Sequence, residues 1–274
     1  MNAKNLPSNT VQETMLGPLW ARATYSLRYP NLLKDQDAVR ILPQINYDFS
    51  KMPKILGEWR SIGLLIRART FDDALRTYLV DHPSATVVNV GAGLDTTFSR
   101  VDNGRLRWYD IDLPDAVAFR KQFIPETARS SCIAKSAFDI SWLKEIDYRP
   151  ELGIFIIAGG LVYYFPESEV RGLLTSFTER FPGGEMVFDV VSHLAARIAN
   201  RRAEKHSESS VRFHFPVGNP SKVFGAWSPK LHVKEWHVLG TQIPIDPNWE
   251  KKTRKMVRVT RILKTAKIVH LKFG

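Results

Sequence analysis

Two glycines and one acidic residue have the spacing of a ligand-binding turn in an α/β protein. Gly91 and Gly93 directly follow the β-rich run 86–90, where glycine permits a sharp turn and a close approach of a ligand to the backbone. Asp112 ends the next β-rich run, 21 residues after Gly91, close to the spacing at which a carboxylate accepts hydrogen bonds from ribose hydroxyls. The pattern predicts a nucleoside site, although Asp112 could also cap the helix that begins at Leu113-Pro114.

The same turn argues against a diphosphate ligand. A dinucleotide fingerprint requires a third glycine at position 96, where this chain has Thr96, and no P-loop lysine follows. A nucleoside joined to another group fits better, and S-adenosylmethionine is the obvious member of that class. A glycine turn after a strand also has a purely structural explanation, so the motif alone leaves both readings open.

Alternating strands and helices must position these residues. Helical patterns separate short β-rich runs, which indicates βαβ units around a parallel sheet. The predicted strands cover residues 86–90, 106–111, 132–135, 153–158, 186–191 and 268–273, and the main helices cover 70–80, 115–123 and 167–180. We therefore predict a doubly wound α/β fold.

We predict a single domain, 1–274, with four parts. Residues 1–66 form an N-terminal helical prelude, with breaks expected at Gly17-Pro18, Tyr29-Pro30 and Met52-Pro53. Residues 67–191 form the cofactor-binding core. Residues 192–247 are polar and basic, then rich in Pro, Gly and Trp, and are interpreted as a cap inserted over the carboxyl edge of the sheet. Residues 248–274 form a terminal helix and strand.

The composition excludes several classes of protein. The 274 residues include one cysteine, Cys132, so no disulfide forms within the chain. No run of about 18 apolar residues is present, and the N-terminal stretch lacks the basic start and apolar core of a signal peptide. We therefore expect a cytoplasmic protein without a membrane partner. The sequence leaves the oligomeric state open, a homodimer included.

The net charge of +11 is a local feature. Nine positive residues and no Asp or Glu lie in 251–274, which leaves +2 for the first 250 residues. Met256, Val259, Ile262 and Leu263 form an apolar stripe at helical spacing in this segment. We interpret the charge as the solvated side of the terminal helix, and we rank nucleic acid below a small molecule as the partner.

The glycine turn and the second strand carry a family resemblance. The string Val88-Asn89-Val90-Gly91-Ala92-Gly93-Leu94-Asp95-Thr96-Thr97-Phe98-Ser99-Arg100, followed by Trp108-Tyr109-Asp110-Ile111-Asp112-Leu113-Pro114, resembles the leucine carboxyl methyltransferase family. Its bacterial branch of tetracenomycin-type polyketide O-methyltransferases is the nearer match, through residues 19–23 and 47–49 of the prelude. The resemblance implies a Rossmann-like, seven-stranded class I methyltransferase sheet and O-methylation with S-adenosyl-L-methionine.

The resemblance also assigns cofactor contacts position by position. Arg67 matches the arginine that binds the methionine carboxylate, with Arg69 as the competing candidate. The other implied contacts are Gly91, Ala92 and Gly93 under the methionine part, Ile111 and Asp112 at the ribose, and Asp139 and Ile140 at the adenine. Asp139 could instead be the N-cap of a helical turn.

One position departs from the family pattern. Where the family has Ala-Glu-Gly after the fourth strand, this chain has Ala158-Gly159-Gly160. The missing glutamate normally faces the cofactor and the reactive region. Gly159 therefore either opens room for a bulkier acceptor or indicates a cofactor-binding protein without turnover.

The acceptor is expected to be a small molecule with a carboxylate or a hydroxyl group. A carboxylate is ionised at neutral pH and needs no general base, whereas a phenol with a pKa of about 10 needs one, for which His193 is the candidate. Candidate acceptor contacts, each also explicable as packing or surface, are Arg22, Tyr25, Tyr163, Tyr164 and Gly159, with Trp227, Trp236 and His237 in the cap. A protein carboxyl or RNA methyltransferase is a weaker alternative. The seven histidines show no metal-ligand spacing, so no metal site is predicted.

Overall fold

Seven strands form one mixed sheet in the computed structural model, which describes residues 11–205 and 212–274. The first ten residues of the predicted prelude and residues 206–211 of the predicted cap lie outside the described residues. The strands are β1 Thr86–Val90, β2 Arg107–Asp112, β3 Ser130–Ala134, β4 Ile154–Ala158, β5 Glu185–Val191, β6 Leu231–Val238 and β7 Ala266–Phe273. Their order is β3-β2-β1-β4-β5-β7-β6, with β7 antiparallel to its neighbours. This is the predicted class I methyltransferase fold.

The register of the parallel strands decides which residues meet at the carboxyl edge. Val90 pairs with Ile111 across β1 and β2, so the glycine turn and Asp112 emerge side by side. Ala158 pairs with Phe188 across β4 and β5, which sets Gly159 beside Asp189.

Ten α-helices precede, connect and cover the strands in the described part of the chain. They are α1 Val11–Arg28, α2 Gln36–Ile41, α3 Met52–Ile55, α4 Gly57–Asp81, α5 Thr97–Val101, α6 Pro114–Arg120, α7 Glu167–Arg180, α8 His193–Lys205, α9 Pro220–Gly225 and α10 Lys251–Leu263. Short 3₁₀ turns cover Leu42–Gln44, Phe49–Lys51, Ile140–Lys144, Pro150–Leu152 and Val162–Tyr164. The helix predicted for 167–180 has the bounds of α7, whereas the one predicted for 70–80 is the second half of α4.

The central strands are apolar because both faces of the sheet are covered. All five residues of β1 and all five of β4 are buried, the pattern of a parallel strand between two helical layers. On one face Tyr78 of α4 packs against Phe155 of β4, with ring centroids 5.1 Å apart. On the other face Phe177 of α7 packs against Trp142.

The prelude is helical, but its first predicted break is wrong. Helix α1 runs through Gly17-Pro18 to Arg28, because its buried face, which includes Leu16 and Leu19, packs into the prelude core on both sides of the proline. Tertiary packing thus outweighs the hydrogen bond that a proline removes from a helix interior. The break predicted at Tyr29-Pro30 does end α1, and Pro53 lies in the first turn of α3.

One strand lies inside the segment interpreted as a cap. Strand β6 is the outer strand of the sheet and pairs antiparallel with β7, with a register shift between Val233 and Glu235. Its polar, half-exposed residues are typical of an edge strand, and they conceal the apolar alternation by which strands are predicted from sequence.

The apolar stripe predicted for α10 is also wrong. The buried residues of this helix are Thr253, Val257 and Thr260, whereas Ile262 is 76% exposed. Helix α10 packs against α4 through a face with two threonines, so an apolar stripe was a poor guide to its orientation.

The residue that follows α10, Lys264, has a backbone conformation that is unfavourable for a non-glycine residue. Lys264 is the C-cap, with φ of 50° in the left-handed region, and no other described non-glycine residue has positive φ. We expect Lys264→Gly to raise the free energy of unfolding by about 0.5–1 kcal/mol, because glycine adopts this conformation without strain. Lys255→Gly, in the same helix at a helical position, is the control and should lower it by about 1 kcal/mol. Urea unfolding of both variants measures the difference, and destabilisation by both would contradict the prediction.

Across the described ranges, 11–205 and 212–274, no helix has the length and apolar content needed to cross a membrane.

Candidate cofactor and acceptor site

The glycine turn is pinned to the neighbouring strand. The backbone N–H groups of Gly91 and Ala92 both donate to the carbonyl oxygen of Ile111, at 2.8 and 3.2 Å. Gly91 and Gly93 have φ of 70° and 46°, so both need the left-handed conformation that glycine tolerates. A Cβ atom on Gly91 would lie 3.0 Å from Leu161 Cδ1 and one on Gly93 would lie 3.0 Å from Met15 Cβ, so these two side chains approach the turn closely because neither position has a side chain.

Asp112 lies beside this turn with its carboxylate held in place. One oxygen accepts from the backbone N–H of Gly93 at 2.7 Å, and the other from that of Leu113 at 2.8 Å. Burial raises the pKa of Asp112 above its ordinary value, although the two backbone hydrogen bonds work in the opposite direction. Each oxygen keeps a lone pair for a further donor. Asp112 thus both fixes the turn and can accept hydrogen bonds from a ligand.

Apolar side chains are exposed at the ends of β2 and β3. Ile140 is 51% exposed and Leu113 is 36% exposed, so both offer apolar surface at this edge of the sheet. Asp139, next to Ile140, accepts from the backbone N–H of Ser141 at 3.1 Å and is the N-cap of a 3₁₀ turn. The capping role suggested by the sequence is therefore observed, and a contact of Asp139 with adenine stays a prediction.

Arg67 is bound at the ends of β4 and β5. Its Nη1 donates to Asp189 Oδ2 at 3.1 Å, and Asp189 Oδ1 accepts from the backbone N–H of Gly160 at 2.6 Å. The Arg67 side chain is 16% exposed. Burial works to lower the pKa of Arg67, but the Asp189 carboxylate raises it above its ordinary value, so the guanidinium stays charged. Arg69, the competing candidate, instead forms a surface pair with Asp73.

Gly159 lies against an aromatic ring and the Arg67 guanidinium. A Cβ atom placed on Gly159 would lie 3.0 Å from Phe71 Cε2 and 3.9 Å from Arg67 Nε. A Cβ on Gly160 would lie 2.8 Å from Arg67 Nη1 and 3.3 Å from the Tyr163 hydroxyl. Phe71 and Arg67 thus occupy the space beside β4 that a longer side chain at 159 would enter.

Tyr163 and Tyr164 contact residues 213–215 of the segment predicted to be a cap. The Tyr163 carbonyl accepts from the backbone N–H groups of His214 and Phe215 at 2.8 and 3.3 Å, and both tyrosine rings contact Phe213. Burial and the nearby Asp189 carboxylate raise the pKa of Tyr163 well above 10. Tyr163 is therefore protonated at neutral pH and cannot act as a general base.

The other acceptor candidates have partners of their own. Arg22 is buried and donates to Asp35 Oδ2 and to the carbonyl oxygen of Leu94, both at 2.8 Å. Tyr25 packs in the prelude between Trp20 and Tyr29. His193 is exposed at the start of α8, with its ring beside Gly218. None of these three side chains is among the nearest neighbours of Gly159, which are Phe71 and Arg67. In the cap Trp227 stacks on Phe215, and Trp236 donates to Ser221.

A buried ion pair between Asp110 and Arg120 stabilises the glycine turn. It was not predicted from the sequence. Asp110 accepts from Arg120 Nη2 at 2.7 Å, from Trp108 Nε1 at 2.9 Å and from Asn89 Nδ2 at 3.0 Å. Arg120 Nη1 also donates to the carbonyl oxygens of Gly93 and Asp95, at 3.0 and 2.6 Å. Both side chains of the pair are at most 3% exposed. The only sequence signal was Asp110 itself, two residues before Asp112 on the same face of β2.

A second buried network ties the turn to the prelude. Arg100 donates to Asp72 and to Asp35, and Thr96 donates to Asp35 at 2.6 Å. Arg22 completes the network through Asp35. Burial opposes ionisation of Asp35, but the two arginines lower its pKa below the ordinary value. Thr96, where a dinucleotide fingerprint would have glycine, is thus a buried structural residue.

These residues fit S-adenosylmethionine. The turn offers two glycines in the left-handed conformation, Asp112 offers oriented acceptors, and Arg67 offers a charged donor. The exposed apolar surface of Leu113 and Ile140 suits a purine. The described residues contain no group of three or more side chains able to hold a metal ion.

Comparison with known proteins finds a matching family and related methyltransferases. The model of the family described as "Leucine carboxyl methyltransferase" matches residues 16–178, more than half of the chain. The chain is 28% identical over 238 residues to "Tetracenomycin polyketide synthesis O-methyltransferase TcmP" of Streptomyces glaucescens, covering 86% of each. It is 26% identical over 206 residues to "S-adenosyl-L-methionine-dependent methyltransferase dpfgK" of Gibberella zeae, covering 69% of each.

A solved structure shares the fold. Magnesium protoporphyrin IX methyltransferase of Synechocystis, crystallised with bound SAH, aligns with a TM-score of 0.50 at 10% identity, over 88% of this chain and 100% of that one. The predicted resemblance, the methyltransferase class and the cofactor S-adenosylmethionine are confirmed.

Proposed function

We propose that this chain, which belongs to the leucine carboxyl methyltransferase family, transfers a methyl group from S-adenosylmethionine to the carboxylate of a small aromatic acid. One observation carries the proposal. The groups around Gly159 and Gly160 are a charged guanidinium, a phenylalanine ring, a protonated tyrosine and the Asp189 carboxylate, which is already bound by Arg67 and by the Gly160 N–H, so this region offers donors and aromatic surface.

The cofactor supplies an electrophilic methyl group on a sulfonium when bound. Arg67, held by Asp189, is proposed to bind its carboxylate, because a fixed guanidinium binds a carboxylate through two parallel hydrogen bonds. Asp112 is proposed to accept from its ribose hydroxyls, and Leu113 and Ile140 to pack on its purine. These residues would thereby orient the cofactor for methyl transfer.

A carboxylate acceptor matches the residues at the end of β4. It is ionised at neutral pH and attacks without losing a proton, so catalysis rests on alignment and proximity. This chain has Gly159 where the family has a glutamate. Because that carboxylate is missing, it cannot repel an anionic acceptor at this position. The Asp189 carboxylate is neutralised by Arg67. Phe71 and Tyr163 offer aromatic surface, which favours an aromatic acid over an aliphatic one.

A small molecule is favoured over a protein or RNA acceptor. The Streptomyces relative is named for polyketide synthesis, which is small-molecule chemistry. The cap segment also lies directly on Tyr163, through the hydrogen bonds of His214 and Phe215. A covered acceptor region suits a small molecule.

The test is a panel of aromatic carboxylic acids and matched phenols, assayed for methyl transfer by mass spectrometry. We expect methyl esters, at a rate that is flat between about pH 6 and 8 because the carboxylate is already ionised across this range. Methylation of phenols alone, with a rate that rises with pH, would contradict the carboxylate assignment. Calorimetric binding of S-adenosylhomocysteine without methylation of any acid or phenol would support a cofactor-binding protein without turnover.

The two glycines after β4 provide a matched pair of variants. Gly160 has φ of 73° and its Cβ would lie 2.8 Å from Arg67 Nη1, whereas Gly159 has an ordinary backbone conformation. We expect Gly160→Ala to lower the free energy of unfolding by about 1–2 kcal/mol through backbone strain. Because it displaces the guanidinium, it should also weaken S-adenosylhomocysteine binding about tenfold.

Gly159→Ala is the control. The edge of the Phe71 ring can shift by a few tenths of an ångström, so we expect affinity within about twofold of the parent. Calorimetry at one temperature, on protein shown by circular dichroism to be folded, compares the two. Equal effects of both variants would contradict the role given to the Gly160 conformation.

A further inference from the structure

Helix α10 presents a row of cations to solvent. The helix contains six lysines and arginines and no aspartate or glutamate. Lys251, Lys255 and Arg258 are exposed and lie on one face, at the spacing i, i+4 and i+7. The buried residues of the helix, Thr253 and Thr260 among them, lie on the opposite face. The row is therefore turned away from α4, on which α10 packs.

The same row ends in exposed aliphatic side chains. Ile262 continues it by one turn and is 76% exposed, and Leu263 next to it is 50% exposed. Lys264, the C-cap, is exposed as well. Removal of aliphatic surface from water is favourable. The last turn of α10 can thus add apolar contact area to a partner that the cations attract.

Helix α8 has the same two kinds of residue and begins where α10 ends. Ser192, which precedes α8, donates its backbone N–H to the carbonyl oxygen of Thr265 at 2.9 Å, one residue after Lys264. Leu194 and Ile198 of α8 are 41% and 43% exposed. Three arginines of α8 are also exposed: Arg197, Arg201 and Arg202. We call the exposed cations and aliphatic residues of α8 and α10 named here the basic surface.

Like charges crowd around the basic surface. In each of three pairs, burial lowers the pKa of one cation and the charge of the other lowers it further: Arg261 beside Arg258, Lys267 beside Lys264, and Arg60 beside Arg202. The acidic residues of α8 and of the α10 N-cap have cationic neighbours outside this surface, because Glu204 pairs with Arg212 and Glu250 lies 3.9 Å from Arg28. An anionic partner would relieve the repulsion among the cations.

The aliphatic residues select the kind of anionic partner. Duplex nucleic acid is bound through its phosphates, to which exposed aliphatic residues add little. Single strands stack on aromatic side chains, and neither α8 nor α10 contains a phenylalanine, tyrosine or tryptophan. The core of a protein interface is depleted of charged residues, whereas here cations lie directly beside the aliphatic residues. Helices with lysine and arginine beside exposed aliphatic residues bind at the headgroups of anionic bilayers.

We propose that the basic surface binds a bilayer that contains anionic lipids, with its cations at the lipid phosphate groups and with Ile262 and Leu263 among the headgroups. The sequence predicted no membrane partner because it has no apolar run long enough to span a bilayer, but contact with a bilayer surface requires no span. None of the residues proposed to hold the cofactor belongs to the basic surface. The proposal is therefore independent of the acceptor assigned above.

Co-sedimentation of the full chain with sucrose-loaded vesicles tests the proposal. The vesicles contain phosphatidylcholine with about one third phosphatidylglycerol, and vesicles of phosphatidylcholine alone are the comparison. We expect the anionic vesicles to bind at least about 30-fold more tightly, and this affinity to fall about tenfold between about 50 and 300 mM sodium chloride as the charges are screened.

Two charge variants separate the basic surface from the net charge of the protein. Replacing three cations of the row should weaken binding about 100-fold, because each contributes about fivefold near an anionic surface: Lys251→Gln, Lys255→Gln and Arg258→Gln combined. The control loses the same net charge from three exposed lysines elsewhere and should bind within about threefold of the parent: Lys144→Gln, Lys222→Gln and Lys230→Gln combined.

A matched pair of aliphatic variants tests the apolar contact. Ile262→Ser should weaken vesicle binding at least about fivefold, whereas Val80→Ser, at a position of α4 that is 79% exposed, should leave it unchanged. All variants are compared on protein shown by circular dichroism to be folded. Equal binding to neutral vesicles, equal losses in the two charge variants, or no loss in Ile262→Ser would overturn the proposal. Tighter binding to duplex DNA than to anionic vesicles would overturn it in favour of a nucleic-acid partner.

Discussion

Replacing Arg67 with alanine is expected to weaken S-adenosylhomocysteine binding about 100-fold. Hydrogen bonds to a charged group contribute about 1.5–3 kcal/mol each, and the guanidinium can offer two to a carboxylate. The Arg67 side chain is 16% exposed and its Nη1 is already fixed on Asp189, so little ordering remains to be lost on binding. Isothermal calorimetry on the folded variant measures the loss. Arg67→Lys keeps the charge but not the two-donor geometry and should be intermediate.

Arg69→Ala is the matched control for Arg67. Arg69 is two residues away on α4, and its pair with Asp73 is 42% and 49% exposed. Exposed pairs contribute about 1 kcal/mol or less to stability, so we expect affinity within about twofold of the parent. A larger loss of affinity in Arg69→Ala than in Arg67→Ala would exchange the two assignments.

The largest loss of stability is expected from Asp110→Ala. Arg120 would keep a buried charge without its carboxylate partner, and breaking such a pair from one side costs about 3–5 kcal/mol. Trp108 Nε1 and Asn89 Nδ2 would lose their acceptor as well. Because Arg120 also holds the carbonyl oxygens of Gly93 and Asp95, the glycine turn should loosen and cofactor affinity should fall with stability.

Asp102→Ala is the control for Asp110. Asp102 pairs with Arg129 through both carboxylate oxygens, but at the surface, where these side chains are 24% and 36% exposed. We expect it to lower the free energy of unfolding by about 1 kcal/mol or less. Equilibrium unfolding in urea compares the two variants. A similar cost for both would show that the Asp110 pair is not what stabilises the turn.

The parts of the fold that the sequence predicted are those with a strong local pattern. Strands β1 and β4 are continuous apolar runs because helices cover both faces, and α7 is bounded by Pro166 and by Pro182-Gly183. Strand β6 was missed because an edge strand with exposed polar residues lacks such a pattern. The orientation of α10 was missed because its contact face includes two threonines.

In the candidate site, too, the features with a local sequence pattern were predicted and those without one were missed. The glycine turn and Asp112 are neighbours in the structure because the parallel register follows from the βαβ units, and their spacing along the chain indicated this. Several of the buried charged pairs around the site join residues that are distant in sequence: Asp35 and Arg100 are 65 residues apart, and Arg67 and Asp189 are 122 apart. No local pattern pairs charges across such separations. From the sequence, Arg22 was accordingly either a candidate acceptor contact or a surface arginine, whereas in the structure it is buried and its guanidinium donates to Asp35 and to the carbonyl oxygen of Leu94.

The network of Arg22, Asp35, Thr96 and Arg100 has a consequence for engineering. The prelude contributes two of the four members, so it cannot be exchanged as an independent module between relatives. A chimera that brings a foreign prelude without the matching arginine and aspartate would leave Arg100 with only Asp72 as its anionic partner, and Thr96 without its acceptor. Grafting experiments that aim to transfer acceptor preference should carry positions 22 and 35 together with residues 96–100.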